Sequence, residues 1–156
     1  MKQRALYAPA EAWLQDRGFR VMVTGGKNDF VIPVSDLFAG GFKIPDLIGL
    51  AGNNQVVIVE VEIDKEKFFE VLGKCMLWRC MATFVYLVYP RNKIARASFL
   101  SKVGIGLLEI DEDSHAIHEL VALPPPDGDL WSLVELHPTD PVKEQQLAAH
   151  VRSSLS

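Results

Sequence analysis

Cysteine is scarce in this chain. Two are present in 156 residues, Cys75 and Cys80, too few for a disulfide-built scaffold and without the spacing of a zinc site. Five positions apart in one helical-looking stretch, they read as small buried hydrophobes. Long apolar runs are missing as well. Segments such as Val56–Val59 and Phe84–Val88 fall far short of the roughly 20 residues a membrane-spanning helix needs. Met1 to Leu6 leads into no apolar stretch, so no secretory signal is expected and the expected compartment is the cytoplasm. A basic excess is also lacking. The formal net charge is −4, which argues against indiscriminate binding to a phosphate backbone. No Gly-x-Ser-x-Gly elbow occurs, and Thr24-Gly25-Gly26-Lys27 lacks the frame of a phosphate-binding loop. It reads as a loop near substrate. His115 and His118 are three apart in or beside a strand, hence on opposite faces, and share no metal. No internal repeat is visible.

What the chain has is apolar content. At 49% hydrophobic and 23% charged, it can bury a core of one domain's size. Its charge is unevenly spread. Residues 1–102 hold 14 Lys/Arg against 10 Asp/Glu, a balance of +4, and residues 103–156 hold 2 against 10, a balance of −8. The first part suits a local phosphate contact; the acidic remainder suits a protein partner or a second copy.

Periodicity gives an element order. A helix is expected over Pro9–Asp16, with Pro9 in its first turn and Gly18 just past its end. Phe19–Val23 alternates as a strand. Phe30–Gly41, broken by Pro33, Gly40 and Gly41, reads as irregular. Asp46–Leu50 and Val56–Ile63 are strands around the turn Ala51-Gly52-Asn53-Asn54-Gln55. Pairing Leu50 with Val56 puts Asp46 opposite Glu60. A one-residue slip would turn the faces over, so the register is a testable statement. Lys65–Met81 is the strongest helix, with Phe68, Leu72, Cys75, Met76 and Arg79 at three-to-four spacing. Thr83–Tyr89 is apolar on both faces and should be a central strand. Arg91–Lys102 reads as a second helix, and Gly106–Ile110 and Ala116–Leu123 as a last pair of strands around Asp111–Ser114. Pro124–Asp129 is a linker, Leu130–Leu136 is short, and Pro141–Ser154 is a terminal helix. The expected organisation is a core domain over 1–123 and a Pro-rich linker with a C-terminal helical extension over 124–156. Helices interleaved with strands predict an α/β fold on a mixed sheet.

One strand carries the chemistry. On Val56–Ile63 the face of Val57, Val59, Val61 and Ile63 is wholly apolar, while Glu60 and Glu62 share the other face behind Val56 and Ile58. Two like charges on so apolar a strand are costly. A lysine or a divalent cation would compensate them. Asp46, placed beside Glu60 by the register, makes a third carboxylate about 5 Å away between Cβ atoms. Hard cations such as Mg²⁺ take oxygen ligands of this kind.

Pro45-Asp46, a short hairpin, then Glu60-Val61-Glu62 resembles the PD-(D/E)XK nuclease superfamily, with its restriction-endonuclease-like mixed sheet flanked by helices. The resemblance covers roughly Pro9 to Tyr89. It implies that Asp46 and Glu60 bind Mg²⁺ or Mn²⁺, with Glu11 of the first helix joining them as a third ligand. Glu62 stands where the family usually has lysine. It is expected to orient or deprotonate the attacking water, with Lys65, Lys67 or Lys74 as displaced lysines. Lys74 and Trp78 fall at the spacing of a Gln-x-x-x-Tyr motif found in recombination-type members. The implied activity is metal-dependent hydrolysis of DNA phosphodiesters, with Lys43, Arg91, Lys93 and Arg96 gripping the backbone. The alternative is a catalytically inactive member of the same fold that binds nucleic acid or protein. Plainer roles stand beside these. Glu60 and Glu62 would line a solvated face paired with Lys43, Lys65 or Lys67, Asp46 would be a turn residue, Glu11 would meet a helix dipole, and Trp78 would be core. A small α/β protein without a nucleic-acid role is the third class.

Overall fold

A six-stranded mixed sheet, in simple sequence order, carries helices on both faces. The computed structural model describes residues 2–25, 44–94, 98–123 and 140–155. A 3-10 turn, Gln3–Leu6, leads into α1 (Tyr7–Asp16), and Gly18, at φ +95°, turns the chain into β1 (Phe19–Val23). Then come β2 (Leu47–Ala51), β3 (Val56–Val61), a 3-10 turn over Lys65–Lys67, α2 (Phe68–Trp78) and β4 (Phe84–Pro90). A 3-10 turn over Ser98–Val103, β5 (Ile105–Ile110), β6 (Ile117–Val121) and α3 (Pro141–Leu155) complete the chain. The fold is α/β, as the interleaved pattern predicts.

β1, β2 and β3 are antiparallel neighbours, β3, β4 and β5 run parallel, and β6 returns antiparallel to β5. The predicted hairpin register holds throughout: Leu47 faces Val59, Ile48 faces Ile58, Gly49 faces Val57 and Leu50 faces Val56. β3 and β4 are buried at every position. A parallel strand covered on both faces requires this, and it is why both read as near-continuous apolar runs.

The two faces have separate cores. Leu6, Ala10 and Leu14 pack on Leu47, Val57, Val59 and Val61. On the opposite face, Val71, Cys75 and Trp78 of α2 and Leu147, Ala148 and Val151 of α3 pack on Ile48, Leu50, Val56 and Ile58. The C-terminal helix is therefore part of the core rather than an appended extension. Asp140 caps its start by accepting from the Val142 N–H, and the Asp140 N–H donates to the Cys80 carbonyl.

Several expectations change. Arg91–Lys102 does not form the predicted helix. The Arg91 N–H continues the ladder to the Ile110 carbonyl, Asn92 takes a left-handed φ of +65°, and among the described residues only Ser98–Val103 coils, as a 3-10 turn. The helical signal over Lys65–Met81 resolves into the 3-10 turn and α2, whose buried face is Val71, Cys75 and Trp78, with Met76 exposed. Cys75 is buried as expected, but Cys80 is exposed. Phe30–Gly41, the Pro-rich linker Pro124–Asp129 and Leu130–Leu136 lie outside the described residues. Among the described residues no helix is long and apolar enough to cross a membrane.

Candidate functional site

The site lies where β3 ends. The hairpin register, continued one step past the ladder, places Asp46 opposite Glu60 at the mouth of a cleft of about 170 Å³. Gln3, Ile44, Val61, Glu62, Lys67, Glu70, Val71 and Lys74 line the remainder. These side chains come from the turn before α1, the start of β2, the end of β3 and one face of α2. β4 and β5 end on the same side, and the carboxyl ends of parallel strands are where open α/β sheets commonly bind ligands.

Asp46 is held from three directions. Its Oδ1 accepts from the Tyr7 hydroxyl at 2.7 Å. Its Oδ2 accepts from the Val61 N–H at 2.7 Å and from the Gln3 amide at 3.2 Å. The Asp46 carbonyl accepts from the Thr24 and Gly25 N–H groups, while the Thr24 hydroxyl donates to the Pro45 carbonyl. Thr24 and Gly25 thus form a strap behind Asp46, while Gly26 and Lys27 lie outside the described residues. Gly25 is required there: a Cβ would stand 2.5 Å from the Tyr7 hydroxyl oxygen and 3.0 Å from Asp46 Oδ1.

Glu60 is only 5% exposed. Trp78, on the buried face of α2, donates its indole N–H to Glu60 Oε1 at 2.7 Å. Trp78 is therefore both core and a partner of the site. Burial pushes the Glu60 carboxyl up to about 8, and the facing Asp46 charge adds to the rise. The Trp78 hydrogen bond and the Lys74 ammonium oppose it, and a hydrogen bond with Asp46 reinforces it. The rise favours the neutral acid of Glu60 over two facing carboxylate charges. Burial, then the bond to Asp46, likewise raises the Tyr7 phenol.

The predicted third carboxylate does not join the pair. Among the described residues, no three His, Cys, Asp or Glu side chains lie within reach of one metal ion. β3 ends at Val61; the Glu62 N–H donates to the Val88 carbonyl, and its Oε2 turns back to accept from the Ile63 N–H at 3.2 Å. Glu62 lines the cleft beside the pair without closing on it. Glu11 is also displaced from its expected role. It sits on the outer part of α1, accepts from Gln15 one turn on at 3.4 Å, and is absent from the cleft lining. The residue that reaches the site from this end of the chain is Gln3. With Tyr7 four positions later, it forms one face of a helical turn; that spacing is the signal the sequence offered.

The expected lysines divide. Lys67 and Lys74 line the cleft, while Lys65 is exposed on the 3-10 turn outside it. Of the expected backbone contacts, Lys43 and Arg96 lie outside the described residues. Arg91 and Lys93 are exposed just past β4, on the same side of the sheet as the cleft, and Arg91 is paired with Asp111 at 3.2 Å.

The donor set fits a hard divalent cation. Mg²⁺ is commonly held by one or two carboxylates with water completing the shell. Asp46 and Glu60 supply two carboxylates in a polar lining, and these are the residues that could hold such an ion.

No family model matches the chain, and no curated protein matches it. A solved structure, the SPO1766 protein of unknown function from Silicibacter pomeroyi, is similar to it with a TM-score of 0.58 at 15% sequence identity, over 99% of this chain and 89% of that one. At that identity the likeness is one of fold alone.

Proposed function

We propose that this protein is a divalent-cation-dependent nuclease of the PD-(D/E)XK type that hydrolyses DNA phosphodiester bonds in the cytoplasm. The observation that carries the reading is the meeting of Asp46 with buried Glu60 across the hairpin, at a polar cleft lined by Lys74 of α2 and Lys67 of the turn before it. Asp46 and Glu60 would hold Mg²⁺ or Mn²⁺. Bound there, the ion supplies activation of water and charge neutralisation at a phosphoryl oxygen. Lys74, close enough to Glu60 to oppose its rise, takes the part of the missing motif lysine and offsets negative charge on the phosphate. Lys67 guides the phosphate to the cleft. Glu62, beside the pair, orients the attacking water. Arg91 and Lys93 extend the basic rim toward the DNA backbone.

The expected result is cleavage of plasmid and linear DNA with Mg²⁺ or Mn²⁺, lost in EDTA and in Asp46→Ala and Glu60→Ala. Failure to cut DNA or RNA with either ion overturns the activity. A second reading, a non-catalytic binding module of the same fold, is favoured by Glu62 in the lysine position. Under it, DNA or protein binding is unchanged by Asp46→Ala and by EDTA.

A further inference from the structure

Gln3 holds a position that the proposed activity leaves without a role. Its amide nitrogen is 2.6 Å from the Val61 carbonyl and 3.2 Å from Asp46 Oδ2. A primary amide has two N–H donors, and here each is directed at an oxygen beside the cleft. The positive end of the amide dipole thus meets Asp46 where cationic charge is called for. We infer that Gln3 is a lock on the cation site: its amide holds Asp46 and the Val61 carbonyl in the cation-free protein and must release them when a divalent ion enters. The inference rests on the cation reading above.

Three features favour a lock over a plain strap. The turn that carries Gln3 has its own anchors, since Leu6 is fully buried and the Tyr7 hydroxyl holds Asp46 Oδ1. The amide is therefore not needed to seat the turn. Gln3 itself is only half-buried, so its side chain has room to swing into solvent. Its partners are also the wrong ones for passive fastening. The amide nitrogen bridges Asp46 Oδ2 and the Val61 carbonyl, so a dication that took both oxygens would have to stand where that nitrogen now stands. Whatever Gln3 contributes to the cation-free state is then subtracted from cation affinity.

The test is a calorimetric titration of Mn²⁺ into the full chain at pH 7.5, paired with melting curves in EDTA and in saturating Mn²⁺. It compares wild type, Gln3→Ala, Gln3→Met and Glu60→Gln. The methionine variant keeps side-chain bulk without N–H donors, in case the alanine variant folds poorly. Both Gln3 variants are expected to melt lower than wild type in EDTA and to bind Mn²⁺ about tenfold tighter, the ratio one net hydrogen bond corresponds to. Their melting deficit should also close in saturating Mn²⁺, because the lock is open in every bound protein. A strap without a lock lowers the melting temperature in EDTA but leaves affinity unchanged. If Gln3 variants bind no tighter while Glu60→Gln loses binding, the lock falls and the cation site stands. If wild type and both Gln3 variants bind no Mn²⁺, the cation reading falls and the lock with it.

Discussion

Replacing Glu60 by glutamine should make the protein more stable at alkaline pH, the opposite of what removing a partnered buried side chain usually does. Glutamine keeps an oxygen to accept from Trp78 and gains an NH₂ to offer Asp46, so it mimics the protonated acid at every pH. In wild type the carboxyl rises from an ordinary 4.5 to about 8 on folding. Between those values the folded chain holds a proton that the unfolded chain has released. Stability is therefore complete below about pH 4.5 and declines as pH rises toward 8. The rise sets a ceiling of about 5 kcal/mol on that loss. Relaxation of the cleft and entry of water bring the expected loss to about 2–3 kcal/mol, or about 5–10 °C in melting temperature for a chain of this size. The groups facing Glu60 are Asp46 across the hairpin and Lys74, Cys75 and Trp78 on α2. Half-buried Glu144, also raised, is paired with Thr83; it adds a slope of the same sign to both proteins and cancels in the difference. The assay is thermal melting in EDTA from pH 5 to 8.5. Wild type and Glu60→Gln should coincide near pH 5 and diverge above it, with the variant higher. Parallel profiles would refute the reasoning.

Gly25→Ala should displace the Tyr7 hydroxyl from Asp46 and cost about 1–3 kcal/mol by urea denaturation, whereas Gly52→Ala, where a Cβ meets nothing within 4 Å, serves as a near-neutral control. Trp78→Phe keeps a ring in the core but removes the donor to Glu60 Oε1. It should cost about 1–3 kcal/mol and move the pH-dependent loss of stability to higher pH, both read from the same melts; an unchanged pH profile would show that the indole does not tune Glu60.

The hairpin was legible because strand pairing is a two-body rule. Once Leu50 faces Val56, Asp46 follows to Glu60, and the apolar alternation of β3 fixes which face both share. Glu62 obeyed the alternation but not the inference drawn from it. Face assignment does not reveal where a strand stops, and backbone bonds beyond Val61 turn its carboxylate aside. Glu11 was misplaced because a helix position says little about which end of the helix reaches a site. The 3-10 turn ahead of α1 does the reaching, and the four-residue spacing of Gln3 and Tyr7 is its one local sign in the sequence. Arg91–Lys102 looked helical by composition, but Pro90 closes a strand and Asn92 bends left-handed, so ladder hydrogen bonds overrode propensity. The burial of α3 was hidden by the linker before it, since sequence does not show where a tethered helix lands.

The central claim is that Asp46 and Glu60 together form a seat for one divalent cation. It is tested most directly by melting wild type, Asp46→Asn and Glu60→Gln in Mg²⁺, in Mn²⁺ and in EDTA at pH 7.5. An ion present at about 100 times its dissociation constant should stabilise wild type by about 2.7 kcal/mol, a rise of about 5–10 °C, and should leave both variants unmoved. Equal melting of wild type with and without the ions, or equal rises in all three proteins, would contradict the account.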